Sequence, residues 1–295
     1  MASETAGIEI GRVGIWSAEL RFHSDRAEAR EAAAELEELG YEALFIPDVG
    51  GDVFGAAEEL LGATRAVPIA TGILNIWMHG AGDVAAGVAA IEERHPGRFL
   101  LGLGASHSAV VDADGPARYG RPYTVMLDYL DALDAERQPP APARRVLAAL
   151  GPRMLELARD RSAGAHPYLV PPEHTLAARE ILGGDRLLAP ELSVLLEPDP
   201  ETALERARAF VADYLRLPNY TNNLRRLGFD DGDLTAPGSD RLVRALVAFG
   251  DEQTIADRVA AHHQAGADHV TIQVIGAGET LPRESWRRLA AALLG

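Results

Sequence analysis

Eight short apolar runs, each of strand length, alternate with segments of helical character between Val13 and Ile275, and this alternation constrains the fold more than any other feature. The runs are Val13–Trp16, Glu42–Pro47, Ile69–Asn75, Arg98–Leu103, Arg145–Leu150, Ala165–Val170, Leu187–Leu196 and His269–Ile275. Apolar runs without polar alternation mark strands buried on both faces, as in a parallel sheet covered by helices. The segments between them carry helix signals. Asp25 is followed three residues later by Glu28, a capping-box arrangement; Ala29, Ala32, Ala33 and Leu36 recur at helical spacing, and Gly40 closes the segment. Pro152 and Pro172 open later helices, proline being pre-set for the first helical position.

Eight strand-plus-helix units are the count of an α/β protein folded as a (β/α)8 TIM barrel. Residues 1–295 read as a single domain with a helical insertion at about 199–249, between strands 7 and 8. An open doubly wound sheet would need a glycine fingerprint after its first strand, where Trp16 and Ser17 stand instead.

Composition removes several kinds of chemistry. There is no cysteine, and every one of the 28 basic residues is arginine, which excludes disulfides, thiolate ligands, cysteine nucleophiles, Schiff bases and a P-loop lysine. A net charge of −16 argues against nucleic acid as a partner. No apolar run approaches the roughly 18 residues that span a bilayer. The N-terminal residues lack a basic segment followed by an apolar one, so the reading is of a cytoplasmic protein without membrane contact.

A barrel builds its site from the loops at the C-terminal ends of its strands. That rule selects Trp16, Asp48, Asn75 to His79, Gly104 to Ser108, Gly151 to Arg153, His166 to Tyr168, and Gly276 onward. His107 follows Gly102, Gly104 and Ala105, small residues that let a flat ligand approach the backbone; it either moves protons there or is a surface histidine. Asp48 is a general acid or base, or an N-cap for the next helix. Trp16 and Trp77 stack on a ring system or plug the barrel mouth. Gly151, Pro152 and Arg153 start a helix whose free N–H groups, dipole and arginine suit a phosphate, though a plain strand-to-helix turn reads the same. His79, His107 and His166 fall on three strand ends, but no HxH or HExxH pair supports a metal, and none is assigned. The polar segment NYTNNLRRLGF suits a lid over the mouth or an oligomer contact.

Taken together, TGILNIW, GRFLLGLGASH, LGPRMLELA, AGAHPYLVPPEHT, LPNYTNNLRRLGF and GADHVTIQV resemble the luciferase-like monooxygenase superfamily. They are most similar to its actinobacterial branch of probable coenzyme F420-dependent oxidoreductases. The resemblance runs over nearly the whole chain and implies a (β/α)8 barrel with a deazaflavin ring in its mouth. It also implies a non-prolyl cis peptide at the end of the third strand, within Leu74 to Trp77, backing the ring. On this reading Trp16, Asn75, Ile76, Trp77, Gly104, Ala105 and Ser106 contact the ring, while Gly151, Arg153, His166, Pro167 and Tyr168 hold the phosphate-bearing tail. Two positions depart from the pattern: Asp48 is followed by Val49 rather than histidine, and Trp77 is followed by Met78 and His79. His107 or Asp48 is therefore expected to handle the proton. The implied activity is hydride transfer between coenzyme F420 and a small organic substrate in a homodimer. FMN-dependent monooxygenation is the alternative within the class. A metal-dependent barrel hydrolase or a cofactor-free binding protein are the alternatives outside it.

Overall fold

The computed structural model describes residues 7–107, 111–112, 119–276, 278 and 280–295. Ser108 and part of the glycine-rich loop after it, expected at the site, lie outside them.

The chain opens with β1 (Val13–Trp16), α1 (Ala18–Phe22), α2 (Arg26–Glu38), β2 (Leu44–Ile46), α3 (Val53–Ala63), β3 (Ile69–Thr71) and β4 (Leu74–Asn75). It continues through α4 (Ala81–Arg94), β5 (Phe99–Gly104), α5 (Pro122–Asp134), β6 (Arg145–Leu147), α6 (Pro152–Arg161), β7 (Gly164–Ala165) and α7 (Pro172–Leu182). The last third holds β8 (Leu187–Leu188), β9 (Glu191–Leu196), α8 (Pro200–Tyr214), α9 (Pro218–Arg226), α10 (Asp231–Leu234), α11 (Asp240–Leu246), β10 (Val247–Gly250), α12 (Glu252–Gln264), β11 (Val270–Val274) and α13 (Arg283–Leu293). Among the described residues no helix is long and apolar enough to cross a membrane.

Every strand pairing is parallel, in the order β10-β9-β11-β1-β2-β3-β5-β6-β7-β8 with β4 beside β5. The sheet curls strongly. β8, at one end of that path, runs through Ala189 and Pro190 straight into β9, near the other end, and the bend is sewn to β11 by Asp268 N to Leu188 O and Thr271 N to Pro190 O, both 3.0 Å.

Side chains alternate across a strand, and here the two sets part cleanly. Ile15, Leu44, Ile46, Leu101, Leu103, Leu147, Leu192, Val194, Val270 and Ile272 join the main core under the helices. Trp16, Phe45, Ala70, Leu100, Val146 and Ala189 form a separate cluster on the concave face. The same alternation sends Glu191, Ser193, His269, Thr271 and Gln273 to the concave side, so its β9–β11 wall is polar while the β1–β6 wall is apolar. A third cluster, from Ala203 to Leu246, is the core of the segment after β9.

Three expectations are corrected. The cis peptide lies at Gly72–Ile73, between β3 and β4, upstream of Leu74 to Trp77. NYTNNLRRLGF is mostly helix α9, because Pro218 starts it and Tyr220 and Leu224, one turn apart, bury one face among the apolar residues of α8 and α11; its amides mask this amphipathic stripe in the sequence. The insertion, expected to be helical to about residue 249, has its last helix end at Leu246, and Val247–Gly250 forms a strand on the outer side of β9.

Candidate functional site

At the C-terminal ends of the strands lies a cavity of about 580 Å³. Its wall includes Trp16 at the end of β1, Asp48 and Val49 after β2, Gly72 and Ile73, and Ala105 to His107 after β5. Ala148 to Met154 come from the β6–α6 turn, His166 and Tyr168 from the end of β7. Tyr119 just before α5, Pro122 and Tyr123 at its start, Tyr214 on α8 and Asn219, Tyr220, Asn222 and Arg226 on α9 also line it.

Of the residues expected from sequence, Trp16, Asp48, Ala105, Ser106, His107, Gly151, Arg153, His166 and Tyr168 meet at this cavity. Asn75, Ile76, Trp77, Gly104 and Pro167 are not part of its wall and stand behind it. Asn75 Oδ1 accepts from Trp77 N at 3.1 Å, and Trp77 Nε1 donates to Ala105 O at 2.8 Å, fixing the loop that carries His107. Gly104 leaves room for Ile73: a Cβ on it would come within 2.5 Å of the isoleucine side chain. Pro167 O accepts from Glu191 N.

Asp48 is fastened on three sides. Its carboxylate accepts from Asn75 N at 3.0 Å, His79 Nε2 at 2.9 Å and Gly50 N at 3.3 Å, and its side chain is fully buried. His79 reaches Asp48 from the loop after β4 and is not part of the cavity wall. The helix-cap reading of Asp48 is corrected: Asp52 caps α3, accepting from Gly55 N, and the Asp48 carboxylate ties two loops together instead.

His166 is 1 % exposed and stacks on Phe45 with ring centroids 4.7 Å apart. Its Nδ1 lies 2.6 Å from Ala189 O. A carbonyl only accepts, so Nδ1 carries the proton and Nε2 the lone pair. Burial pushes this imidazole down to about 4, so it is neutral at ordinary pH. His107 is also pulled below its usual range by burial, opposed by a side-chain hydrogen bond with Asn219, and its ring lies 5.5 Å from that of Tyr220. A neutral imidazole beside the cavity can accept or return a proton.

Tyr168 packs on Trp16 at 5.5 Å and donates to Gln273 Oε1 at 2.6 Å, so the 2.9 Å contact with Tyr214 is donated by Tyr214. Burial raises all three tyrosines, Tyr214 to about 12, so the cluster is uncharged. Below it Glu191 accepts from Leu169 N at 2.9 Å and Ser193 Oγ at 2.7 Å; Leu169, at φ 53°, turns the chain directly after Tyr168. Burial pushes Glu191 up to about 7. The folded protein therefore holds a proton that the unfolded chain has released between about pH 4.5 and 7, and this contribution to stability is lost as pH rises through 7. Glu191→Gln keeps the shape without the titration. Its stability relative to the natural protein is expected to rise by roughly 3 kcal/mol between pH 5 and pH 8, measured by urea unfolding at both; a constant difference would mean that Glu191 is ionised throughout.

The outer end of the cavity is cationic in an otherwise acidic chain. Gly151 is the N-cap of α6 with no side chain capping it, Arg153 lies 4.1 Å over the Tyr123 ring, and Arg226 Nη1 stands 3.5 Å from where a Gly151 Cβ would be. Neither arginine has an ion-pair partner among the described residues. Tyr220 and Arg226 lie in the segment NYTNNLRRLGF, read from sequence as a lid over the mouth or an oligomer contact, and the structure sets it on the cavity wall; Tyr214, on the helix before it, carries no sequence signal of its place there. Among the described residues no three His, Asp or Glu side chains converge where a metal ion would sit; His79 is on Asp48, His166 on Ala189 and His107 against Tyr220.

The sequence pattern of luciferase-like monooxygenases matches residues 13–269. No curated protein matches the chain. Among solved structures, an F420-dependent secondary alcohol dehydrogenase in complex with an F420-acetone adduct superposes with a TM-score of 0.71 at 14 % identity, over 97 % of this chain and 99 % of the other. The coenzyme F420-dependent tetrahydromethanopterin reductase of Methanopyrus kandleri gives 0.71 at 16 %, over 97 % and 99 %. The oxygenating constituent of 3,6-diketocamphane monooxygenase from Pseudomonas putida, in complex with FMN, gives 0.67 at 11 %, over 96 % of each chain. At these identities the likeness is one of fold.

Proposed function

The chain belongs to the luciferase-like monooxygenase family, and we propose that it is an oxidoreductase transferring hydride between coenzyme F420 and a small alcohol or carbonyl substrate. One observation carries the reading. The cavity joins an aromatic, uncharged inner end to an outer end where an uncapped helix N-terminus and two arginines meet, which is the polarity of a flat ring with a phosphate-bearing tail.

The residues fit such a group. Gly72 offers backbone without a side chain beside Trp16, and a Cβ there would come 2.8 Å from Trp16 Nε1. In this reading Trp16, Gly72, Ile73, Ala105 and Ser106 hold the ring, and Gly151, Arg153 and Arg226 hold the tail. The bound cofactor supplies a carbon centre that gives or takes two electrons as hydride. The protein orients it, excludes water behind the Tyr168–Tyr214–Tyr220 cluster, and places His107 to take or return the substrate proton. Counting β3 with β4 and β8 with β9 as bent single strands, and β10 as an outer edge, gives the eight-stranded barrel this reading assumes.

Anaerobic mixing of protein, oxidised F420 and a panel of secondary alcohols is expected to bleach the deazaflavin absorbance. His107→Ala is expected to slow that reaction by roughly 100-fold, the usual worth of a positioned proton-transfer group. A second reading, FMN-dependent monooxygenation, is favoured by the FMN complex that shares the fold. Oxygen uptake with reduced FMN, and no reaction with F420, would establish it in place of the first.

A further inference from the structure

Two imidazoles on the cavity wall have a buried nitrogen with no partner among the described residues, His107 Nδ1 and His166 Nε2, and the second lies beside Trp16 and Gly72 at the inner end. Trp16 Nε1 donates to Gly72 O at 2.6 Å, Tyr168 Oη donates to Gln273 Oε1 at 2.6 Å, and His166 Nδ1 donates to Ala189 O at 2.6 Å, so the inner donors are all taken. His166 Nε2 has no partner, although the side chain is buried and the residue lines the cavity. A buried acceptor left without a donor is destabilising, so a ligand that supplies one gains by it. Gly72, also on the wall, is the residue beside it: a Cβ at that position would stand 3.1 Å from His166 Nε2, so the glycine leaves the approach open. The tautomer leaves no choice of role. With its proton fixed on Nδ1, Nε2 can only accept, and the neutral ring cannot offer a donor or a positive charge there.

Resting on the function proposed above, we infer that His166 Nε2 is a selectivity site that accepts a hydrogen bond from an N–H or O–H on the buried edge of the ligand ring. The ligand class is therefore a planar heterocycle with a hydrogen-bond donor at its inner edge and an anionic tail at its outer end. Rings that place a carbonyl or methyl group at that point leave Nε2 unpaired and bind more weakly. Two groups on a deazaflavin have the required chemistry, the imide N–H of the pyrimidine ring and the ring hydroxyl of F420; the first is also present in flavins and the second is not.

The test is fluorescence-quenching titration with four rings that lack the phosphate tail: riboflavin, riboflavin methylated at the imide nitrogen, the hydroxylated deazaflavin chromophore, and the same chromophore methylated on its hydroxyl. The natural protein is expected to bind one methylated ring at least about tenfold more weakly than its parent; a penalty on the imide nitrogen stays unchanged from pH 6 to 8, whereas one on the hydroxyl fades toward pH 8 as that acidic group ionises and can no longer donate. A penalty on the imide nitrogen identifies that N–H as the donor, and one on the hydroxyl identifies the O–H. His166→Phe is expected to erase the penalty, and His166→Gln, whose amide oxygen still accepts, to retain part of it, with both variants checked for an unchanged urea midpoint. Equal binding of parent and methylated rings by the natural protein, or the same penalty in His166→Phe, would overturn the inference while leaving the proposed function standing. Failure of every ring to bind would instead overturn the function, and this inference with it.

Discussion

Gly102→Ala is expected to lower the stability of the protein by at least about 3 kcal/mol, or to prevent folding. Gly102 lies in β5 at the point where β3 leaves the sheet and β6 joins it. Thr71 clasps it on both sides: Thr71 Oγ1 donates to Gly102 O and accepts from Gly102 N, each at 2.8 Å. A Cβ on Gly102 would sit 1.9 Å from Thr71 O. That neighbour is backbone held by its own strand, so relief requires β3 and β5 to part. Overpacking a well-packed site costs about 1–3 kcal/mol, and here a pair of buried hydrogen bonds is broken as well. For a chain of this size the thermal midpoint should drop by roughly 5 °C or more. Gly62→Ala is the internal control. Gly62 lies within α3, exposed, with nothing near its missing Cβ, so alanine there should stabilise by about 0.5–1 kcal/mol. Equal midpoints for Gly102→Ala and the natural protein would mean that β3 and β5 do not approach as described.

The second large effect concerns the cationic end of the cavity. Replacing both Arg153 and Arg226 with glutamine is expected to weaken binding of the phosphate-bearing rings, F420 and FMN, by about 30-fold or more. The same rings without phosphate should lose less than about threefold. Charge-assisted hydrogen bonds are worth about 1.5–3 kcal/mol each, reduced for exposed side chains by screening, so two of them make one to two factors of ten. Both arginines are exposed and neither is used in an ion pair among the described residues, so their removal leaves no buried carboxylate orphaned and the fold unaltered. The affinity of the natural protein for FMN should also fall as salt rises, and that slope should flatten in the double variant. A loss shared equally by riboflavin and FMN would show that the arginines shape the cavity and do not hold the tail.

The strands could be read from the sequence because each is a buried parallel strand, whose apolar run survives without tertiary context. Their inner faces could not. Glu191 and Gln273 sit within runs that read as apolar, and only the alternation across β9 and β11 reveals that they turn inward. The strand-end rule selects His107, His166, Tyr168, Gly151 and Arg153, all of which line one cavity. It also selected Asn75 to Trp77, which close on Asp48 and Ala105 behind the wall, because a residue's place at a strand end does not say which way its side chain points. The state of His166 was beyond sequence, since its proton is set by the carbonyl of Ala189, from the next strand of the sheet. Tyr220 and Arg226 fall in the segment that reads as a lid, but which of its side chains face the cavity is beyond sequence, as is the place of Tyr214. They belong to helices whose docking over the cavity depends on the apolar cluster around Tyr220, Leu224 and Leu242, and contacts so distant along the chain leave no local mark.

The proposed function sets an isoalloxazine or deazaflavin ring in this cavity with its anionic tail at Gly151, Arg153 and Arg226. Titration of the purified protein with coenzyme F420 and, separately, with FMN, each followed by quenching of ligand fluorescence, tests it most directly. Saturable binding of F420 in the micromolar range or tighter, with FMN at least tenfold weaker, is the predicted result. Binding of neither ring at concentrations up to about a millimolar would contradict the claim.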